Sequence, residues 1–273
     1  MSEPRPAILE FATDLILILR MRGLLLPMVV REMSARTAGT ALGMLWLYMP
    51  PLMLLAAYYY LFEVIFSMRL GEGAVVDRLG IYLVVGIIPW FAFADGLNRA
   101  ANSLVDAAEL LKKNPLPVML FPVRSVLASM AIFAPLFVLV VPFAMLTQGP
   151  AWSMVWVLPL WLGLSLLVLL LGLLLALFTA ASRDTSQVLG LILSIGFFLA
   201  PIIYPMSMAP WPFQLVMWLN PATPFVLSFQ TVLLGAAMPP QAALLAIGLW
   251  LVVLALLVSL VLRRCREQVV DWL

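Results

Sequence analysis

The sequence predicts an all-α polytopic membrane protein: six transmembrane helices, an N-terminal amphipathic interface helix and a re-entrant helical hairpin before the last span. Three observations carry that reading. The chain is 65% hydrophobic and 10% charged, so nearly all of it suits the bilayer and no sizeable soluble domain fits between the spans. Its apolar runs reach the ~20 residues that a helix needs to cross a hydrocarbon core about 30 Å thick. Of the fifteen Lys and Arg, all but Arg69 and Arg78 fall at alternating ends of these runs, the bias that marks cytoplasmic loops. Both termini are therefore expected in the cytoplasm.

The same composition narrows the chemistry. A net charge of +2, spread over the span ends, does not suit nucleic acid. No His and a single Cys265 argue against a zinc site, a His-based triad or an intramolecular disulfide. No catalytic and no metal-binding residues are expected. The opening MSEPRPAILEFATD lacks the basic n-region of a signal peptide, so none is expected.

Residues 1–40 read as a cytoplasmic N-terminus and interface helix. Leu24, Leu25, Met28 and Val29 supply an apolar face, while Arg20, Arg22, Arg31, Glu32 and Arg36 supply polar contacts. Such a segment lies in the headgroup plane; a plain basic linker fits the same residues. The membrane domain then runs over 41–262, with spans at 41–66, 80–100, 123–147, 154–181, 186–204 and 240–262, and a cytoplasmic tail at 263–273. Between the first two spans, Gly71, Glu72, Gly73, Asp77 and Arg78 mark an outside loop.

Residues 103–113 predict a short cytoplasmic helix. Ser103 and Asp106 match a capping box, Leu104, Ala107, Ala108 and Leu111 share a face, and Asn114-Pro115 is a stop. The face suits either a partner or the neighbouring spans. Further on, Pro201, Pro205, Pro210, Pro212, Pro221, Pro224, Pro239 and Pro240 cut the chain into pieces too short to cross a bilayer. They predict the re-entrant hairpin, 205–238, with Trp211 and Trp218 at the outer interface.

Within the spans, Glu63 and Asp95 are the ionisable residues that a transport role would use; the reading favoured for both is structural, headgroup contact for Glu63 and an i,i+4 pair of Asp95 with Arg99. Tyr58, Phe62 and Phe66 recur every fourth residue beside Tyr59 and Tyr60. They form either a ladder of flat faces suited to sugar rings or an interfacial aromatic belt. No GxxxxGK[ST] loop occurs, so any ATP is hydrolysed by another polypeptide.

The segment VVREMSARTAGTALGMLW, followed by Pro50-Pro51, resembles the opening of ABC-2 type permeases, especially the polysaccharide and polyol-phosphate export group. Leu42-Gly43, Trp46 and Pro50 match in order. Further similarity lies in KKNPLPVMLFPV, Arg183-Asp184, PIIYPMS at 201–207 and Asn220-Pro221. The resemblance implies a homodimeric permease of the bacterial plasma (inner) membrane. It would work with two copies of a cytoplasmic ABC ATPase that binds ATP and Mg, no cofactor being held by this chain, and would export an undecaprenyl-linked polysaccharide of the O-antigen or capsule kind. Teichoic acid or a small hydrophobic compound would share nearly every motif. From another class, an intramembrane enzyme on lipid-linked sugars would need an acid or His cluster that is missing. A proton-coupled transporter would use Glu63 and Asp95.

Under this resemblance Tyr58, Tyr59, Phe62 and Phe66 line the substrate path, and Arg31 and Arg36 meet a lipid pyrophosphate, although ordinary anionic lipid would suit them as well. Leu104, Asp106, Glu109, Leu111, Arg183 and Asp184 couple to the ATPase.

Overall fold

In a computed structural model, which describes residues 7–65, 79–114, 116–235, 237–265 and 268–272, every regular element is helical. The N-terminal region forms α1 (Ala7–Arg20) and α2 (Arg22–Ala35), separated at Met21. After a turn in which Gly39 and Gly43 adopt positive φ (78° and 53°) come α3 (Leu45–Tyr59) and a π-helical turn, Tyr60–Ile65. Then follow α4 (Leu79–Asp106), α5 (Ala108–Lys113) and α6 (Leu120–Gln148). A 3-10 turn at Trp152–Trp156 leads into α7 (Val157–Ala181), followed by α8 (Asp184–Leu199), α9 (Trp211–Leu219) and α10 (Thr223–Leu234). The chain closes with α11 (Gln241–Cys265) and α12 (Val269–Trp272).

Among the described residues, five helical stretches are long and apolar enough to cross a membrane: Leu45–Ile65, Leu79–Asp106, Leu120–Gln148, Trp152–Ala181 and Gln241–Cys265. The expected fifth span, 186–204, is instead the 16-residue α8, about 24 Å long and short of the hydrocarbon thickness. Pro201 ends it by forcing Ala200 to extended geometry (φ −95°, ψ 149°). The first span starts at Leu45 rather than 41, because the left-handed Gly43 lies in the turn before it.

The separate helix expected at 103–113 also needs correction. α4 runs unbroken through Ser103, whose hydroxyl donates to Ala100 O (2.6 Å) inside the helix instead of capping a new one. Ala100, Ala101 and Leu104 are all buried, so packing continues the helix past the local capping signal. The break comes at Ala107 (φ −101°, ψ 7°), leaving α5 only six residues.

α4 and α7 form the centre of the bundle, with α6 on one side and α10 and α11 on others. Small residues bring their backbones together. A Cβ on Gly172 would stand 2.6 Å from Ala100 Cβ, and one on Gly96 would stand 2.5 Å from Val168 Cγ1 and 3.0 Å from Met130 Cε. Dispersion between close backbones replaces the hydrophobic effect that is absent in lipid. α10 is almost wholly buried against these helices, whereas α9 buries only Met217 and leaves Trp211 72% exposed. The pieces expected as a hairpin are thus two short helices joined at Asn220-Pro221. Asn220 fixes the joint: its Nδ2 donates to Gly196 O (3.2 Å) and its Oδ1 accepts from Ala222 N (3.1 Å).

Irregular backbone between α8 and α9 is similarly tied. Tyr82 Oη and Gln230 Nε2 both donate to Pro201 O, at 3.0 and 2.9 Å. The Gln230 amide reaches it because residue 86 is glycine; a Cβ there would lie 2.6 Å from Gln230 Nε2.

Gly172→Ala must push apart two backbones, since Ala100 Cβ cannot rotate away. Overpacking of this kind costs about 1–3 kcal/mol. A lower thermal midpoint is expected for detergent-solubilised Gly172→Ala. Gly248→Ala, where nothing lies within 4 Å, is expected to be neutral or stabilising.

Candidate functional site

α2 turns one stripe towards the bundle: Leu25, Val29, Glu32 and Arg36, spaced 4, 3 and 4 residues apart. The two apolar members are buried, and the two charged ones enter an ionic network with α4 and α6. Arg124 Nε lies 2.6 Å from Glu32 Oε2, which also accepts from Ser125 Oγ (3.1 Å). Arg36 Nη2 is 3.6 Å from Glu32 Oε1. Arg36 Nη1 donates to Asp95 Oδ2 (3.0 Å), and its Nη2 donates to Ser129 Oγ (2.9 Å). Ser129 in turn donates to Asp95 Oδ2 at 2.6 Å, closing a ring of three groups. Arg99 Nε approaches Asp95 Oδ1 at 3.8 Å from the edge, and the Arg124 guanidinium stacks over Phe121 (5.3 Å).

The Arg36 side chain is only 5% exposed and that of Glu32 15%. Two carboxylates meet three guanidinium groups, one of which, Arg99, is half in the open (51%). Such a site holds a surplus positive charge at one open edge while every deeper charge is compensated.

Arg36 therefore cannot serve, in this arrangement, as a free cation for a lipid pyrophosphate; its charge is directed inward to Asp95. Arg31 is exposed. Asp95 does pair with Arg99 as its spacing suggested, but its shorter contact is with Arg36, 59 residues away. Arg124, Ser125 and Ser129 belong to the site and were not singled out from sequence, and Glu32 was named only as one of the polar contacts of the interface segment. The available signal was a polar stripe, Ser125 and Ser129 one turn apart beside Arg124, in an otherwise apolar helix.

The aromatic ladder exists in part. Tyr58 and Phe62 stack with centroids 6.1 Å apart and planes 14° apart. Tyr58 also stacks on Phe197 of α8 (6.3 Å), which meets Trp90 of α4 edge-on (6.1 Å). The ladder is thus one side of an aromatic cluster joining α3, α4 and α8. Tyr59, on another face, is 38% exposed; Phe66 lies outside the described residues. Glu63 sits in the π-helical turn against the start of α4, its Oε2 2.9 Å from where a Gly80 Cβ would be.

Of the six residues expected to meet an ATPase, Leu104 and Leu111 are buried within the chain at 0% and 5% exposure. Their shared apolar face packs on neighbouring helices, one of the two alternatives the sequence left open. Asp106, Glu109, Arg183 and Asp184 are exposed, and Glu109 pairs only loosely with Lys113 (3.9 Å).

Residues 24–234 match the ABC-2 type transporter family. Among characterised proteins, the chain is similar to the O-antigen export system permease protein RfbA of Myxococcus xanthus, with 28% identity over 251 residues, covering 90% of this chain and 94% of the relative. It is similar also to two proteins of that name from Klebsiella pneumoniae, 23% and 21% identical over 217 residues, each covering 79% of this chain and 82% of the relative.

Removing one partner from a buried ion pair costs about 3–5 kcal/mol, because the remaining charge stays uncompensated. Arg36→Met is expected to lower stability by about that amount, discounted for the 30% exposure of Asp95. Combining it with Asp95→Asn should recover part of the loss, read as a positive coupling in a double-mutant cycle. Arg31→Gln should leave the unfolding midpoint where it was.

Proposed function

The chain belongs to the ABC-2 type transporter family, and from that membership we propose that it is the membrane subunit of an ATP-driven exporter for a lipid-linked polysaccharide of the O-antigen kind. Similarity to the RfbA permeases over nearly the full chain supports the substrate class. The observation that carries the mechanical part is the ionic network. It joins the interface helix α2 to the inner ends of α4 and α6, so a push on the elbow at Ala107 reaches α2 without crossing a flexible joint.

In this reading two copies of the chain pair along the open side of α3, where Leu45, Trp46, Met49, Leu52 and Met53 are exposed. Each copy engages one cytoplasmic ATPase, which holds ATP and Mg. The contact is made by the exposed charges Asp106, Glu109, Arg183 and Asp184, whereas Leu104 and Leu111 hold the elbow from within. Both termini face the cytoplasm of a bacterial inner-membrane protein, and α8 with the α9–α10 pair completes the bundle as a short sixth span and a re-entrant hairpin.

The undecaprenyl-linked substrate enters beside α2. Arg31 and the open edge of Arg99 meet the pyrophosphate, and Arg36 positions α2. The glycan then slides past Tyr58, Tyr59, Phe62 and Phe66, whose apolar faces make weak, repeated contacts rather than one tight site.

The test is surface display of the polysaccharide in cells that carry the chain and its ATPase. Reversing Asp106 and Glu109 to Lys together is expected to abolish display while the chain still inserts and dimerises, and to reduce co-purification of the ATPase. Tyr58→Ala should lower display with ATP hydrolysis retained, whereas Tyr58→Phe keeps the flat face and exports normally. Normal display in both the Asp106/Glu109 reversal and Tyr58→Ala would remove these residues from coupling and path.

A further inference from the structure

α12 (Val269–Trp272) is four residues long, far below the length at which a helix holds itself together in water, because fixing the first turn is unfavourable. Packing rather than propensity keeps it folded. It turns back from the end of α11 through Gln268 N, which donates to Cys265 O (3.0 Å), and Trp272 N donates in turn to Gln268 O (3.2 Å). Gln268 is exposed and Trp272 is 38% exposed, yet Val269 between them is 1% exposed. It lines the same cleft as Leu262 of α11 and Leu116, Val118 and Met119 of the stretch that joins α5 to α6. The helix as a whole packs on α7 and α5.

Seen from α5, the contact matters more. α5 has six residues and buries one of them, Leu111, while Glu109, Leu110, Lys112 and Lys113 are exposed. Its main neighbours among the described elements are α4, to which the elbow at Ala107 ties it through the chain, and α12. A helix this short, beyond a bend and with one buried side chain, has little to fix its direction. We propose that α12 is the seat of α5, with Val269 as the positioning residue that sets the angle at which α5 leaves the Ala107 elbow. The consequence for coupling rests on the transport reading above. There the seat decides where Asp106 and Glu109 meet the ATPase. Because α12 also packs on α7, the helix that leads into Arg183-Asp184, it keeps the two sets of ATPase contacts at a fixed spacing. The segment beyond the last span is then a working part of the coupling surface.

The seat is tested on the full chain alone, in detergent, by hydrogen exchange of the amides of Leu110, Leu111 and Asn114. These donate within α5, the first two to Ala107 O and the third to Leu110 O. Val269→Ser is expected to speed their exchange about tenfold, the order that follows from giving up a buried valine contact, while α4 and α6 exchange as before. Val269→Ile keeps the apolar contact and is expected to exchange like the wild type. A second measurement needs no destabilised variant: Trp272→p-benzoylphenylalanine, irradiated in the otherwise native chain, is expected to join α12 to residues 107–114 or to the end of α7. Unchanged exchange in Val269→Ser overturns the seat, and so does crosslinking confined to α11 or to detergent. With the ATPase present, Val269→Ser is expected to lower polysaccharide display several-fold with ATP hydrolysis retained, and Val269→Ile to display normally. A loosened α5 with full display upholds the seat and removes α5 from coupling, so the seat and the transport reading fail separately.

Discussion

The buried contact between Arg36 and Asp95 sets what the rest of the molecule can do. A guanidinium that is 5% exposed has given up its water, and the loss is offset only while the carboxylate and the Ser129 hydroxyl stay within bonding distance. Glu32 is held in the same way by Arg124 and Ser125. α2 therefore cannot lift from the bundle, or slide by a turn, without stranding charges from three helices at once. A helix attached only by Leu25 and Val29 would have been free to slip along an apolar surface. The ionic contacts give its position a single register.

That constraint extends to the centre through α4. The helix that carries Asp95 and Arg99 also carries Gly96 and Ala100, which meet α7 at Val168 and Gly172. Polar contacts on one side of α4 and backbone-close packing on the other make α2, α4, α6 and α7 a rigid body. α3 is different: it is largely exposed, burying only Pro51 and Leu55, and its Tyr58 joins the Phe197 and Trp90 rings. Aromatic faces resist separation but tolerate sliding much better than an ion pair does. Relative motion is cheaper at α3, whose ring contacts can slide, than at α2, where the buried charges of Arg36 and Glu32 would have to move.

Hydropathy and positive-residue bias were enough to identify an all-helical membrane chain, because each long helix is apolar over more residues than the bilayer requires. Features fixed by tertiary contacts were less legible. The capping box at Ser103 is chemically sound as a local signal, yet Ala101 and Leu104 are buried by helices distant in sequence, and that packing overrides it. α8 looked long enough until Pro201 was given its full effect on Ala200. Arg36 was read as a cation for a lipid pyrophosphate, whereas its charge pairs with Asp95, 59 residues away; no periodicity in one segment reports a pairing across two others. Phe62 illustrates the middle case: its spacing from Tyr58 foretold the stack, whereas the stacking of Phe197 on Tyr58 was invisible.

The irregular segment between α8 and α10 shows how a membrane protein keeps broken backbone in its interior. Proline removes donors and ends helices, leaving carbonyls that hydrocarbon cannot satisfy. Here the Pro201 carbonyl receives two side-chain donors, Tyr82 from α4 and Gln230 from α10, and the Gly196 carbonyl receives Asn220. Each bond runs between elements rather than along one. The break in α8 is therefore also the joint that fastens α8, α4 and α10 together. Gly86 is the geometric condition for it, since any side chain there would occupy the space of the Gln230 amide. Replacing the prolines by helix formers would lengthen α8 towards a full span. It would also draw the Pro201 carbonyl into that helix and leave Tyr82 and Gln230 without their acceptor, so the irregularity is held in place by the groups that depend on it.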